Sequence, residues 1–137
     1  MTLKEKVEII EKFIVFVEDY LDIQDMPEIK FVNDRQWATQ FHSFGRYRNE
    51  LKDITVYLKN RNLADILRTL GHELVHHKQN ELGMLDATSG RTGSEIENQA
   101  NATAGIMMRD FGKSHEQIYE SQTIKLGNLL KEIKKAK

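Results

Sequence analysis

The chain has 137 residues, of which 39% are hydrophobic and 30% are charged, a balance typical of a globular domain with a modest core. Its 20 basic and 21 acidic residues give a formal net charge of −1, which argues against nucleic acid as an electrostatic partner. The absence of cysteine excludes disulfides, a zinc ribbon and a thiol nucleophile, and it suits a reducing compartment. We therefore expect residues 1–137 to form a single domain.

The first predicted element is an amphipathic helix over residues 3–22. Its longest apolar run, residues 13–17, is too short to span a bilayer. Glu11 and Glu18 flank this run, which also excludes a signal-peptide core. We expect the helix to pack on the core, and we expect a cytoplasmic protein with no membrane partner. The apolar stripe of the helix consists of Leu3, Val7, Ile10, Ile14, Val17 and Leu21.

Three short strands are predicted next. Residues 28–32 alternate between polar and apolar side chains, and residues 40–47 form a second strand in which Gly45 permits a bulge or a close approach of the backbone. Residues 54–58 form a third strand, rich in β-branched and aromatic residues. The second and third strands are expected to pair as a hairpin, and Trp37 is expected in the core.

A helix with two distinct faces follows the third strand. Asn62 is its predicted N-cap, it runs through about residue 82, and Gly83 is its predicted C-cap. His72 and His76 fall nearly opposite the apolar stripe of this helix, so one face can pack on the sheet while the other faces a cleft. The stripe consists of Leu63, Ile66, Leu67, Leu70 and Leu74.

Two further helical regions are predicted after a glycine-containing loop over residues 83–93. The first runs from about residue 94 to residue 109, and Gly112 is expected to mark its end. Ser114 opens a capping-box pattern that predicts the start of a C-terminal helix. The lysine-rich end of the chain is expected to be a solvated tail rather than a binding patch.

His72, Glu73 and His76 form the pattern H-E-x-x-H within the predicted helix. Histidines at positions i and i+4 lie about one turn apart on one face, so both imidazoles can bind one metal ion. Glu73 is offset from that face, where it can act on a metal-bound water without binding the metal itself. Alone, the motif is moderate evidence, because two surface histidines and a salt-bridging glutamate would give the same pattern.

A catalytic zinc ion needs a third protein ligand and a fourth position left to water. The metzincin pattern would place a histidine at position 82, which is Leu82, so that class is excluded. Glu95 and Glu97 both lie at a suitable distance on the next helix. Each also fits a purely structural role, because Glu95 can form a capping box with Thr92 and Glu97 can form one with Ser94.

The stretch Glu97-Asn98-Gln99-Ala100-Asn101 makes a family resemblance specific. With H-E-x-x-H on one helix and E-x-x-A on the next, the chain resembles a compact gluzincin-type zinc metallopeptidase. In the pattern of its motifs it is most similar to minimal gluzincins and to the ImmA/IrrE-type peptidase domain. The likeness covers roughly residues 28–110, and a phage origin fits it, because small metallopeptidases of this type occur in phages.

The resemblance implies an α+β, zincin-like fold and a zinc ion (Zn2+) bound by His72, His76 and Glu97, with Glu95 as the second choice for the third ligand. It implies that Glu73 is the general base. Ala100 would be the small residue facing the motif helix. Asn101 stands where many gluzincins have an aspartate that hydrogen-bonds to the first ligand histidine, so here the partner of that histidine is an uncharged amide.

Zinc-dependent hydrolysis of a peptide or protein substrate is therefore the expected function, with the substrate extended beside the strand at residues 41–47. The alternative is a non-catalytic or regulatory zinc-binding interaction module with a vestigial peptidase site. A DNA-associated protease of the SprT type is disfavoured by the absent cysteines and the near-neutral charge. Tyr47, His115 and Tyr119 are candidates to stabilise an oxyanion, whereas His42 and His77 are expected to be structural.

Overall fold

A computed structural model describes residues 1–33, 36, 44–59, 61–85 and 94–119 of the protein. The described residues form an α+β fold, as expected, with three α-helices, a three-stranded sheet and a short 3-10 helix. The elements are α1 (Leu3–Leu21), β1 (Glu28–Val32), β2 (Gly45–Arg48), β3 (Asp53–Tyr57), α2 (Leu63–Glu81), α3 (Glu95–Ser114) and the 3-10 helix Glu116–Tyr119.

Helix α1 begins and ends within one residue of its predicted bounds. The Thr2 side chain accepts a hydrogen bond from the Glu5 backbone N–H at 3.1 Å, and Asp22 ends the helix in the left-handed conformation with φ 53°. The buried face of the helix centres on Phe13, whose ring meets that of Phe111 edge-on at 5.2 Å. Helix α1 therefore packs on the core, as its apolar stripe predicted.

The sheet has the strand order β1-β3-β2. Strand β2 pairs antiparallel with β3, which confirms the predicted hairpin, while β1 pairs parallel with β3. Strand β3 lies in the middle of the sheet, and most of its side chains are buried. Residues 40–43 of the predicted second strand lie outside the described residues, as do Trp37 and His42.

A buried carboxylate joins the three strands. Asp53, at the start of β3, accepts hydrogen bonds from the Arg48 guanidinium of β2, with Nε–Oδ1 at 2.7 Å, and from Lys30 Nζ of β1 at 3.3 Å. The hydrogen bonds from Arg48 and then from Lys30 outweigh burial and hold the pKa of Asp53 below its ordinary value. The charged ends of β1 and β2 are thus fixed to the central strand.

Helix α2 carries the H-E-x-x-H motif and follows its predicted bounds closely. The Asn62 side chain accepts a hydrogen bond from the Asp65 backbone N–H at 2.9 Å, and Gly83, with φ 71°, lies just beyond the end of the helix. The predicted apolar stripe is buried throughout, and its exposed fractions do not exceed 3%. It consists of Leu63, Ile66, Leu67, Leu70 and Leu74.

Helix α3 continues past the predicted end at Gly112 and finishes at Ser114, so that prediction is wrong. Gly112 serves close packing rather than termination, because a Cβ atom there would lie 2.7 Å from the Tyr119 hydroxyl oxygen. Ser114 is the last residue of α3, and its hydroxyl donates to the Phe111 carbonyl at 3.4 Å, so it does not act as the predicted N-cap. A helical region does begin shortly after it, as the 3-10 helix Glu116–Tyr119. The predicted C-terminal helix beyond residue 119 and the lysine-rich end lie outside the described residues.

The core lies between α1, the sheet, α2 and α3, and its largest fully buried side chains include Phe13, Ile54, Leu70 and Met107. None of the helices in the described residues combines the length and the apolar character needed to cross a bilayer.

Gly45 of β2 provides a test of how closely the sheet approaches α2. A Cβ atom at Gly45 would lie 2.4 Å from Thr69 Cγ2 and 3.3 Å from Glu73 Cγ. The Thr69 side chain is held in place, because its hydroxyl accepts a hydrogen bond from the Arg61 guanidinium at 2.6 Å. We expect Gly45→Ala to lower the free energy of unfolding by about 1–3 kcal/mol in urea titrations. Gly105→Ala is the matched control, since no atom lies within 4 Å of its added Cβ, and it should stabilise α3 by about 0.5–1 kcal/mol. Equal effects of the two substitutions would contradict the close approach.

Candidate metal centre

His72 and His76 lie one turn apart on the polar face of α2 and direct the same ring nitrogen at each other. Their Nε2 atoms are 3.1 Å apart, and the rings are nearly perpendicular, with centroids separated by 4.7 Å. Both side chains are largely but not fully buried, with exposed fractions of 19% and 12%. The i, i+4 spacing in the sequence therefore places two imidazole nitrogens at one point on the surface of the helix.

Glu97 reaches this point from the first turn of α3. Its Oε1 atom lies 2.7 Å from His72 Nε2, and its Oε2 atom lies 3.1 Å from His76 Nε2. Ser94 is the N-cap of α3, and its hydroxyl accepts from the Glu97 backbone N–H at 3.1 Å. The main chain of Glu97 is thus capped while its carboxylate faces the histidines. Glu95 is exposed, and Thr92 lies outside the described residues.

The donor set fits a metal ion in both distance and chemistry. Among the described residues, His72, His76 and Glu97 form the group whose ligand atoms all lie within 4.8 Å of one another. Ligand atoms of a tetrahedral zinc ion are separated by roughly 3.3 Å, given zinc–ligand distances of about 2.0–2.1 Å. The nitrogen–nitrogen distance of 3.1 Å is close to that value. Two imidazoles and one carboxylate could therefore hold a divalent cation.

Burial keeps the His72 imidazole in the form that can bind a metal. Burial first, and then the charge of His76, lower the pKa of His72, while Glu97 and a hydrogen bond with the Asn101 side chain offset part of the effect. A pKa below the ordinary value leaves the ring neutral at pH 7, and only the neutral ring has a lone pair to donate. Asn101 thus contacts His72, which is the histidine that the family resemblance predicts as its hydrogen-bond partner.

Glu73 is a buried carboxyl beside this cluster. Its side chain is covered by Gly45 of β2, and the exposed fraction of the residue is 6%. No group in the described part of the chain hydrogen-bonds to its Oε2 atom. Burial, and to a smaller extent the negative charge of Glu97, raise the pKa of Glu73 to about 8. A carboxyl with this pKa can exchange a proton near neutral pH.

Gln79 is a polar contact of the cluster that the sequence analysis did not identify. Its Oε1 atom lies 2.8 Å from His76 Nδ1, and its amide nitrogen donates to the Ile96 carbonyl at 3.1 Å. The sequence contained a signal, because Gln79 follows His76 by three residues and therefore shares its face of α2.

The three candidates to stabilise an oxyanion, Tyr47, His115 and Tyr119, make hydrogen bonds or ring contacts with residues other than the three candidate ligands. The Tyr47 hydroxyl lies 2.8 Å from His77 Nδ1 and accepts from the Asn80 side chain at 2.9 Å. His77 is 1% exposed, so its predicted structural role is confirmed. Tyr119 donates to the Met108 carbonyl at 3.3 Å, and the ring of His115 stacks on Phe111 with centroids 4.0 Å apart.

Comparisons of this chain with models of known families, with curated proteins and with solved structures gave no match.

The raised pKa of Glu73 predicts the pH dependence of stability of the metal-free protein. A carboxyl that titrates near 4.5 when exposed and at about 8 when folded binds more protons in the folded state between these values. Stability therefore falls as the pH rises through this window, by about 2 kcal/mol between pH 6 and pH 8. Glu73→Gln removes this titration, so the free energy of unfolding of the variant, relative to that of the wild type, should rise across the same interval.

The measurement is urea unfolding at several pH values with a metal chelator present. Glu95→Gln, which changes an exposed carboxyl on α3, is the control and should follow the wild type. Parallel pH profiles for the wild type and Glu73→Gln would show that Glu73 titrates normally.

Proposed function

We propose that this protein is a zinc metalloendopeptidase of zincin-like fold that hydrolyses peptide bonds, with His72, His76 and Glu97 as zinc ligands and Glu73 as general base. The observation that carries the proposal is the convergence of His72, His76 and Glu97 at one point. The buried carboxyl of Glu73 lies beside this point, on the same helix as the two histidines. The first three supply ligands, and the fourth supplies a base, which together are the parts that metal-assisted hydrolysis requires.

Zinc is the proposed metal because the donor set combines two imidazole nitrogens with one carboxylate oxygen. Magnesium and calcium prefer oxygen ligands, whereas zinc is commonly bound by histidine together with a carboxylate. Three protein ligands are the number found in catalytic zinc sites, where water or substrate takes the fourth position. The donor set therefore favours a catalytic ion over a structural one.

A zinc ion bound at this site would lower the pKa of a coordinated water toward ~7 and polarise a substrate carbonyl. Glu73 would accept a proton from the attacking water and deliver it to the nitrogen of the leaving amine. The pKa of about 8 applies to Glu73 in the metal-free protein. The charge of a cation bound beside it would lower this pKa and favour the ionised carboxylate, which is the form that can accept a proton. Asn101 and Gln79 would hold the two ligand imidazoles in place.

The substrate in this proposal is an extended peptide that runs beside β2. Gly45 of β2 lies against Glu73, with its added Cβ position 3.3 Å from Glu73 Cγ. A peptide bond placed alongside this strand would therefore pass next to the proposed base. A side chain at position 45 would fill the space between the strand and the base, which gives Gly45 a role in the site as well as in the fold.

Glu73→Gln is the variant that tests the mechanism. The substitution keeps the size of the side chain and removes its ability to accept a proton, so zinc should stay bound at one ion per chain while turnover falls by about 10²–10⁴-fold. Zinc content would be measured by elemental analysis. Hydrolysis would be followed by mass spectrometry of new amino termini in denatured casein.

Glu95→Gln serves as the control, since Glu95 is exposed and should change neither zinc content nor cleavage. Full activity in Glu73→Gln would contradict the role of Glu73 as the base. Stoichiometric zinc without cleavage in the wild type would instead favour a non-catalytic zinc-binding module.

A further inference from the structure

Gln79 is almost completely buried, with an exposed fraction of 2%, and it lies on α2 one turn beyond His76. The three hydrogen bonds of its side-chain amide join His76 to two residues of α3 that flank Glu97. Oε1 is 2.8 Å from His76 Nδ1, and Nε2 is 3.1 Å from the Ile96 carbonyl oxygen and 2.7 Å from Gln99 Oε1. A buried polar side chain with this set of partners has a single consistent orientation.

The Ile96 carbonyl decides that orientation. A backbone carbonyl oxygen can only accept a hydrogen bond, so the amide nitrogen of Gln79 must be the atom that faces Ile96. The carbonyl oxygen of the Gln79 side chain must then face His76. Because this oxygen also can only accept, His76 must carry a proton on Nδ1.

A neutral imidazole with its proton on Nδ1 has its lone pair on Nε2. In His76 this is the nitrogen that lies 3.1 Å from His72 Nε2 and 3.1 Å from Glu97 Oε2. The backbone carbonyl of Ile96 thus determines, through Gln79, which nitrogen of His76 is available to a metal ion. The same carbonyl belongs to the residue directly before Glu97, so one side chain fixes the second histidine and the first turn of α3 together.

We propose that Gln79 is a positioning residue that holds His76 in the Nε2-ligating tautomer and fixes α2 to α3 beside Glu97. The inference rests on the metal centre of the proposed function but is independent of whether that centre hydrolyses peptides. The amide orients His76 without adding charge to the site, whereas a carboxylate at this position would add a negative charge. A carboxylate would also face the Ile96 carbonyl without a donor, so glutamate cannot replace glutamine here.

The first test is zinc affinity, measured by competition with a chromophoric chelator. Gln79→Leu has a similar volume but neither donates nor accepts, and it should weaken zinc binding by about 10–100-fold. Gln79→Asn keeps the amide but is one methylene shorter, so it should resemble Gln79→Leu. Gln99→Leu is the matched control, because it removes only the outer partner of Gln79, and its affinity should stay within about threefold of the wild type.

The second test reads the tautomer of His76 directly and then compares it between variants. In ¹⁵N NMR spectra of the zinc-loaded wild type, His76 should carry its proton on Nδ1 and bind zinc through Nε2. That proton should exchange with water faster in Gln79→Leu than in the wild type or Gln99→Leu, an effect that loss of helix packing alone would not confine to His76. The wild-type spectrum tests which nitrogen of His76 binds zinc, and Gln79→Asn replaces Gln79→Leu in the exchange comparison where Gln79→Leu does not fold.

Zinc bound through Nδ1 of His76 would overturn the inference, and so would an unchanged zinc affinity in folded Gln79→Leu. A wild type that binds no zinc would overturn it together with the metal centre. Bound zinc without peptide hydrolysis would contradict the proposed enzyme activity and leave the role of Gln79 intact.

Discussion

The close approach of α3 to α2 brings Glu97 within 3.1 Å of both histidines, and the contacts of the two histidines with their third candidate ligand depend on it. Small residues make the approach feasible. A Cβ atom on Gly71 of α2 would lie 3.3 Å from Phe13 Cζ and 3.5 Å from Met107 Cε, so α1 and α3 both pack where α2 has no side chain. Ala100 of α3, one turn after Glu97, is fully buried. The hydrogen bonds of Gln79 then fix the two helices beside the ligands. The core packing and the geometry of the site therefore depend on the same helix pair.

The sequence predicted the elements whose signals are local. The apolar stripe and the Asn62 cap located α2 to within a residue, and β-branched and aromatic side chains located β3. The opposition between that stripe and the two histidines correctly predicted that His72 and His76 lie away from the apolar core, where the structure places them against α3. The third ligand could be narrowed only to Glu95 or Glu97 by spacing, and the family resemblance favoured Glu97. The structure places Glu97 at the histidines and Glu95 on the surface.

The features that the sequence did not predict depend on distant residues. Parallel pairing of β1 with β3 joins strands that are separated by more than twenty positions, and no local pattern specifies it. Gly112 was interpreted as a helix end because glycine favours termini, but its role is set by contact with Tyr119. Gln79 shares a face with His76 by spacing alone, yet its function follows from the position of the Ile96 carbonyl on another helix. Likewise, the raised pKa of Glu73 follows from burial that the strand carrying Gly45 provides.

The most direct test of the central claim is a crystal structure of the zinc-loaded protein, with anomalous diffraction recorded on both sides of the zinc absorption edge. The account predicts one zinc ion per chain, bound by Nε2 of His72, Nε2 of His76 and the carboxylate of Glu97 at about 2.0–2.2 Å, with a water as the remaining ligand. Zinc held by a fourth protein ligand would contradict a catalytic site. Zinc bound away from these three residues, or no zinc at all, would contradict the metal centre itself.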